Sequence, residues 1–284
     1  MGVLSACGGG KPAPAVATVS FTPSRSKLAL GSPVVFTYRF DVAPGAVIGA
    51  DYRVFAHVKT PDGQILWNDD HDLPVATSQW MPGQTIQYAH TRFVPMDPPY
   101  LGEAYMEVGL YRPGEDGRLP LAGGEPGDRG DVSRAYVVGT LQLLPPSENI
   151  FVIYKTGWHP LETAAEDPTR SWTWTQKSAV LTFDNPRADV TLYLQYAARP
   201  DVFGVVPQQV AVVSANHRVA TLTADSSQVT LRLLPITAAE LGTNDKVELR
   251  IDVDRTFVPA DLAGGGRDRR ELGLQVYQAF IERR

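Results

Sequence analysis

One cysteine, Cys7, in 284 residues excludes an internal disulfide and leaves no cysteine pair for a metal. No apolar run approaches the roughly 18–20 residues that a membrane-spanning helix requires. A large excess of one sign of charge is also lacking. The net charge of −5 arises from 26 basic and 31 acidic residues, with 10 and 14 of them between positions 18 and 144 and 15 and 17 between 145 and 284. Nucleic-acid binding leaves a clustered basic footprint. The nearest approach to one is Arg267, Arg269 and Arg270 with the terminal Arg283 and Arg284, too small a group, so nucleic acid is set aside as a partner. The Gly-x-Ser-x-Gly elbow, His-Glu-x-x-His, the phosphate loop and the dinucleotide glycine fingerprint are all missing. Their absence predicts a protein that is not an enzyme and carries no cofactor.

Glycine and proline are plentiful, 25 and 23 residues, about 17% of the chain against an average near 12%. That composition suits many tight turns and points to an all-β class. The length predicts two domains. In Phe36-Thr37-Tyr38-Arg39-Phe40, Tyr52 to Val58 and Ala104 to Leu110 every second side chain is apolar, the period that turns them to one face of a sheet. Thr60-Pro61-Asp62-Gly63 supplies a turn, so residues 51–70 read as a hairpin. Further turn signals stand at Met81-Pro82-Gly83 and between Arg112 and Gly117.

Leu143-Leu144-Pro145-Pro146 ends the last strand of this half, because a proline pair cannot donate to a ladder. The predicted organisation is a tether over 1–17 and two antiparallel β-sandwiches in tandem over 18–145 and 146–284. In the second half the alternation recurs at Val190–Leu194, Val229–Leu233, Val247–Val253 and Leu272–Val276. A single helical turn is signalled there, by the capping box Thr237-Ala238-Ala239-Glu240 with Leu241 and a stop at Gly242.

Leu4-Ser5-Ala6-Cys7, followed by the Gly/Pro/Ala run of residues 8–15, resembles the lipobox of bacterial lipoproteins. The resemblance implies a diacylated Cys7 and a membrane contacted through that lipid. It also implies a location on the periplasmic or outer cell-surface side. Only Met1 to Ala6 precede Cys7, fewer residues than the charged and apolar regions of a signal peptide occupy, so either an upstream start or a trimmed chain is expected. Residues 51–121 are similar to immunoglobulin-like modules of extracytoplasmic bacterial proteins. The likeness rests on Val54-Phe55-Ala56-His57-Val58, Pro61-Asp62-Gly63, Trp80-Met81-Pro82-Gly83-Gln84 and Gly109-Leu110-Tyr111. The second half resembles jelly-roll modules of the galactose-binding-like type in Gly157-Trp158-His159, Trp172-Thr173-Trp174, Phe257-Val258-Pro259-Ala260 and Asp268 to Gly273. Both likenesses imply a binding role without catalysis.

Trp158, Trp172 and Trp174 form the candidate binding set. Two residues apart on a strand, Trp172 and Trp174 share one face. With His159, Glu162 and Arg170 beside them, flat rings and polar groups suit a sugar, while core packing is the competing role for tryptophan. Asn68-Asp69-Asp70-His71-Asp72 gathers oxygen ligands in Asp69, Asp70 and Asp72 for a hard cation, but lacks the spacing and the glycine of a calcium loop, so a solvated hairpin end is the preferred reading and no metal is expected. Asp268, Arg270 and Glu271 read as structural ion pairs that pin the last strand. Together these features predict a lipoprotein that works by contact. It either docks on a larger membrane-associated protein assembly as an accessory subunit or binds glycan through its tryptophans.

Overall fold

The computed structural model describes residues 13–115, 117–127, 134–167, 170–204, 206–215, 217–264 and 266–284. Cys7 lies outside the described residues. The chain divides into two compact units, Met1–Pro146 and Ser147–Arg284. Each unit is a β-sandwich, and among the described residues no helix is long and apolar enough to cross a membrane.

The first unit contains β1 (Ala17–Pro23), β2 (Lys27–Ala29), β3 (Pro33–Val42), β4 (Arg53–Lys59), β5 (Ile65–Asn68), β6 (Thr85–Phe93), β7 (Gly102–Tyr111), β8 (Arg118–Leu119), β9 (Leu121–Ala122), β10 (Glu125–Pro126) and β11 (Tyr136–Leu144). One sheet runs β6-β3-β1-β9. The other runs β10-β11-β7-β4-β5, with β2 beside β11 and β8 beside β7. Period-two burial builds the core between them. Phe36, Tyr38 and Phe40 of β3 are fully buried, as are Met106, Val108 and Leu110 of β7. The 60–63 segment closes the β4–β5 hairpin, with the Gly63 N–H donating to the Thr60 carbonyl at 3.0 Å and Gly63 at φ +87°.

Among the described residues of this unit the pairing is antiparallel except at two short places, where β1 meets β9 and β2 meets β11 in parallel. The chain leaves the first sheet at Pro23 and joins the second at Lys27, as expected of a strand that proline interrupts. Strand alternation turns Glu107 away from the core face, yet it is buried at 4% exposure. The Lys59 ammonium meets its carboxylate at 2.6 Å and compensates the charge.

The second unit contains β12 (Ile153–Tyr154), β13 (Glu162–Thr163), β14 (Ser171–Trp174), β15 (Ser178–Asp184), β16 (Val190–Ala197), β17 (Gln208–Ser214), β18 (His217–Ala224), β19 (Thr230–Ile236), β20 (Lys246–Val253) and β21 (Gln275–Arg283). Its sheets run β12-β15-β20-β17-β18 and β13-β14-β21-β16-β19. Phe183, Leu192, Leu194, Val212, Leu249 and Ile251 fill the space between them.

The helical turn α2 (Ala238–Leu241) carries the capping box, with Thr237 accepting from the Glu240 N–H and the Glu240 carboxylate accepting from Thr237. A second turn, α1 (Pro200–Phe203), lacks a side-chain cap at Arg199, so no N-cap residue announces it. In β19 the buried face is the opposite of the one the alternation of Val229, Leu231 and Leu233 suggests. Leu234 and Ile236 are buried and Leu233 is 47% exposed, because Leu234 and Ile236 pair across the strands with the buried Leu192 and Val190. The last strand starts at Gln275 rather than Leu272. Leu272 bridges to Phe257, and Gly273 packs so closely on Thr175 and Gln176 that a Cβ would overlap them.

Gly157 has φ +76°, and a Cβ there would run into the Ser178 carbonyl. Gly157→Ala is expected to destabilise the protein by about 1–3 kcal/mol through backbone strain, read as a lowered denaturant midpoint with an unchanged slope.

Candidate functional site

In the second unit β14 pairs with β21, Thr173 opposite Val276 and Trp174 opposite Gln275. Val276 points into the core while Tyr277 stands on the other face, beside Trp172 at a ring-centroid distance of 6.0 Å. The Arg170 guanidinium lies over the Tyr277 ring, 5.5 Å from its centroid, and donates to the phenol oxygen at 3.1 Å. These side chains line a cleft of about 520 Å³ with Glu166, Gln275, Ser227, Arg199 and Asp201. Proline at the start of α1 and the fork of Arg199 on Asp201, at 2.8 and 2.6 Å, hold the far wall. The result is an aromatic floor rimmed by carboxylates and guanidinium groups.

The six candidate binding residues do not form one surface. Arg170 and Trp172 line the cleft. Glu162 stands behind Trp172 and accepts its indole N–H at 3.2 Å. Trp174 shares the face of Trp172, as their spacing requires, but is 5% exposed beneath Phe257 and Leu272. Trp158 packs against the main core and donates its indole N–H to the Val180 carbonyl at 2.8 Å, with Tyr154 against its ring. His159 is tied to backbone, its ring to the Glu271 carbonyl at 2.8 Å and its own carbonyl to the Thr173 hydroxyl at 2.6 Å.

Arg270 bridges Asp268 at 2.6 Å and Glu162 at 2.7 Å, and so braces the residue behind Trp172. The Arg270 side chain and backbone N–H pull the Asp268 carboxyl down to about 2. Glu271 stands apart from this chain of charges and accepts from the Thr256 hydroxyl.

In the first unit the acidic run after β5 separates. The Asp72 side chain is 80% exposed and pairs with Arg53. Asp70 accepts from the Ala56 N–H at 3.0 Å and meets His57 at 3.3 Å. Asp69 turns inward, its side chain 2% exposed. The three carboxylates face different partners, so they do not converge on one cation.

What converges on Asp69 comes from β3 and β6. Its Oδ2 accepts from the Tyr38 hydroxyl at 2.8 Å and from His90 Nε2 at 2.9 Å, while Arg92 pairs with Oδ1. Its backbone carbonyl accepts from His71 Nδ1 at 2.6 Å, which leaves His71 Nε2 to accept from the Tyr88 hydroxyl at 2.6 Å. Burial would raise the Asp69 carboxyl, but the bond from His90, the neighbouring Arg92 and the Tyr38 hydroxyl hold it below its ordinary value. Burial lowers His71 and raises Tyr38 and Tyr88, the charge of Asp69 adding to the rise of both phenols. Neutral imidazole and protonated phenols follow.

Tyr88 and His90 belong to no sequence motif, while Tyr38 stands in an alternating strand and His71 in the acidic run, neither of which marks them as site residues. The available signal was the alternation of Ile86, Tyr88, His90 and Arg92 on one face of β6, where polar rings occupy positions that an apolar core would fill.

No family model and no curated sequence matches this chain. Among solved structures it is similar to a carbohydrate-binding module, CBM36, in complex with calcium and xylotriose. The identity is 13% and the TM-score 0.27, over 47% of this chain and 98% of that one. It is similar also to a family 35 carbohydrate-binding module from an environmental isolate, at 10% identity and TM-score 0.28, over 48% of this chain and 98% of the module. A Bacteroides uniformis β-glucuronidase aligns at 11% identity and TM-score 0.32, over 95% of this chain but 30% of the enzyme. Likeness at this level says nothing about what the present chain binds or does.

Proposed function

We propose that this chain is a non-catalytic, extracytoplasmic glycan-binding protein, lipid-anchored through Cys7, whose site is the cleft over Trp172 and Tyr277. The observation that carries this reading is the pairing of two half-buried rings with a polar rim in a cleft of about 520 Å³, within the range of small-ligand sites. A pyranose presents a C–H face that stacks on an aromatic ring, and hydroxyls around its edge that need donors and acceptors. Here Trp172 and Tyr277 supply the face, and Glu166, Arg170 and Asp201 supply the edge. The bonds that Glu162 accepts from Trp172 and from Arg270 orient the indole before any ligand arrives, which lowers the ordering cost of binding.

The test is a glycan array followed by titration of a retained oligosaccharide. Trp172→Ala is expected to weaken binding about tenfold or more, with the circular dichroism spectrum unchanged. Equal retention by the variant, or no retained glycan for the wild type, overturns the reading.

Docking on a membrane-associated protein assembly draws on a different observation. Phe151 and Leu161 are 79% and 71% exposed, and such side chains cluster at protein interfaces. Co-purification of defined membrane proteins after mild detergent extraction, abolished by Phe151→Ser, would favour it.

A further inference from the structure

We propose that Asp69, His71 and His90 bind one divalent transition-metal cation of the zinc type, which cross-links the two sheets of the first unit at their open edge. Among the described residues these three place one ligand atom each within 4.8 Å of one another. Tetrahedral coordination at about 2.0–2.2 Å needs ligand atoms about 3.3–3.5 Å apart, so small side-chain rotations close the site.

The donor set is that of a borderline cation, two imidazoles and one carboxylate. It does not suit calcium, which takes six to eight oxygens. The outer partners are also those of a metal centre. His71 donates its Nδ1–H to a backbone carbonyl, which makes Nε2 the lone-pair nitrogen, at present accepting from the Tyr88 hydroxyl, and metal-bound histidines are oriented by bonds of this kind. The Tyr38 hydroxyl and Arg92 hold the carboxylate. Arg92 sits on Oδ1, while His90 faces Oδ2, so the guanidinium and the proposed cation occupy different oxygens. The cation takes the His71 Nε2 lone pair from the Tyr88 hydroxyl, now 2.6 Å from that nitrogen, and a water or that hydroxyl completes the coordination.

The place of these residues in the fold gives the cation its role. His90 lies on β6, the edge strand of one sheet, and Asp69 and His71 follow β5, the edge strand of the other. With a single cysteine, the chain has no disulfide to join them.

The full chain, stripped with chelator and dialysed, is titrated with zinc chloride by calorimetry, and with cobalt(II) while its visible absorption is followed. One cation per chain is expected, with cobalt bands of a four-coordinate nitrogen and oxygen site. At a hundredfold excess over the dissociation constant, Tm should rise by about 5–10 °C. His71→Gln and His90→Gln should each weaken binding more than about tenfold, whereas His159→Gln, outside the cluster, keeps it. The wild-type measurements need no variant to fold. Absence of stoichiometric uptake, uptake without a rise in Tm, or uptake unchanged in His90→Gln overturns the proposal.

Discussion

Trp174→Ala is expected to cost about 3–5 kcal/mol of stability, the range for removing a large aromatic side chain from a packed interior. Trp172→Ala, two residues earlier on the same strand, is expected to cost less than half as much. The difference follows from what covers each ring. Trp174 is 5% exposed, stands edge-on to Phe257 at 5.7 Å and packs with Leu272. These three form a small second core on the outside of the sheet, joined by the partly buried Val202, Phe203 and Leu262. Trp172 lies at the margin of that core, with one side open to the cleft. Truncating Trp174 therefore leaves a cavity under the cleft floor, while truncating Trp172 mainly widens the cleft. Equilibrium denaturation of the two variants, followed by circular dichroism, separates them. If Trp172→Ala proves the more damaging, the assignment of one ring to packing and the other to ligand is reversed.

Features written in short stretches of sequence could be read without the structure. Period-two apolar residues placed β3 and β7, and the turn at Thr60–Gly63 and the capped turn at Thr237–Gly242 each depend on a few adjacent residues. The reach of such local signals ends where a partner strand decides. The alternation in β19 gives two equivalent faces, and the pairing of Leu234 with Leu192 chooses between them. The same limit governs the candidate sites. Trp172 and Arg170 stand close in sequence, but Tyr277, which completes the floor, comes from the far end of the second unit. Asp69 and His90 meet because two edge strands of different sheets face each other, and no spacing rule within one strand encodes that encounter. The acidic run at 68–72 drew notice for its charge, whereas its one buried member matters for what packs onto it.

Asp69→Ala, measured with chelator present so that no cation contributes, is expected to destabilise the protein by about 3–5 kcal/mol, the range for breaking a buried charged group out of its partners. The carboxylate accepts from Tyr38, whose side chain is fully buried and has no access to water. Removing the acceptor leaves that hydroxyl unpaired at a cost of about 1–3 kcal/mol. His90 loses its hydrogen-bond partner and Arg92 its counter-charge as well, though the Arg92 side chain, 44% exposed, recovers part of its loss in solvent. Asp69→Asn keeps an oxygen for Tyr38 while removing the charge, so its cost should be about half that of alanine. Tyr38→Phe should fall below both, since it deletes one bond and leaves the carboxylate with His90 and Arg92. The order alanine, asparagine, then Tyr38→Phe, obtained from denaturant midpoints at one pH, tests whether the charge itself holds this edge together. If the two Asp69 variants are equally destabilised, the oxygen that asparagine keeps for Tyr38 contributes nothing and the charge carries the whole effect. If neither loses more than about 1 kcal/mol, an ordinary surface effect, the buried carboxylate does not secure the sheets, and any need for it arises only when a ligand binds.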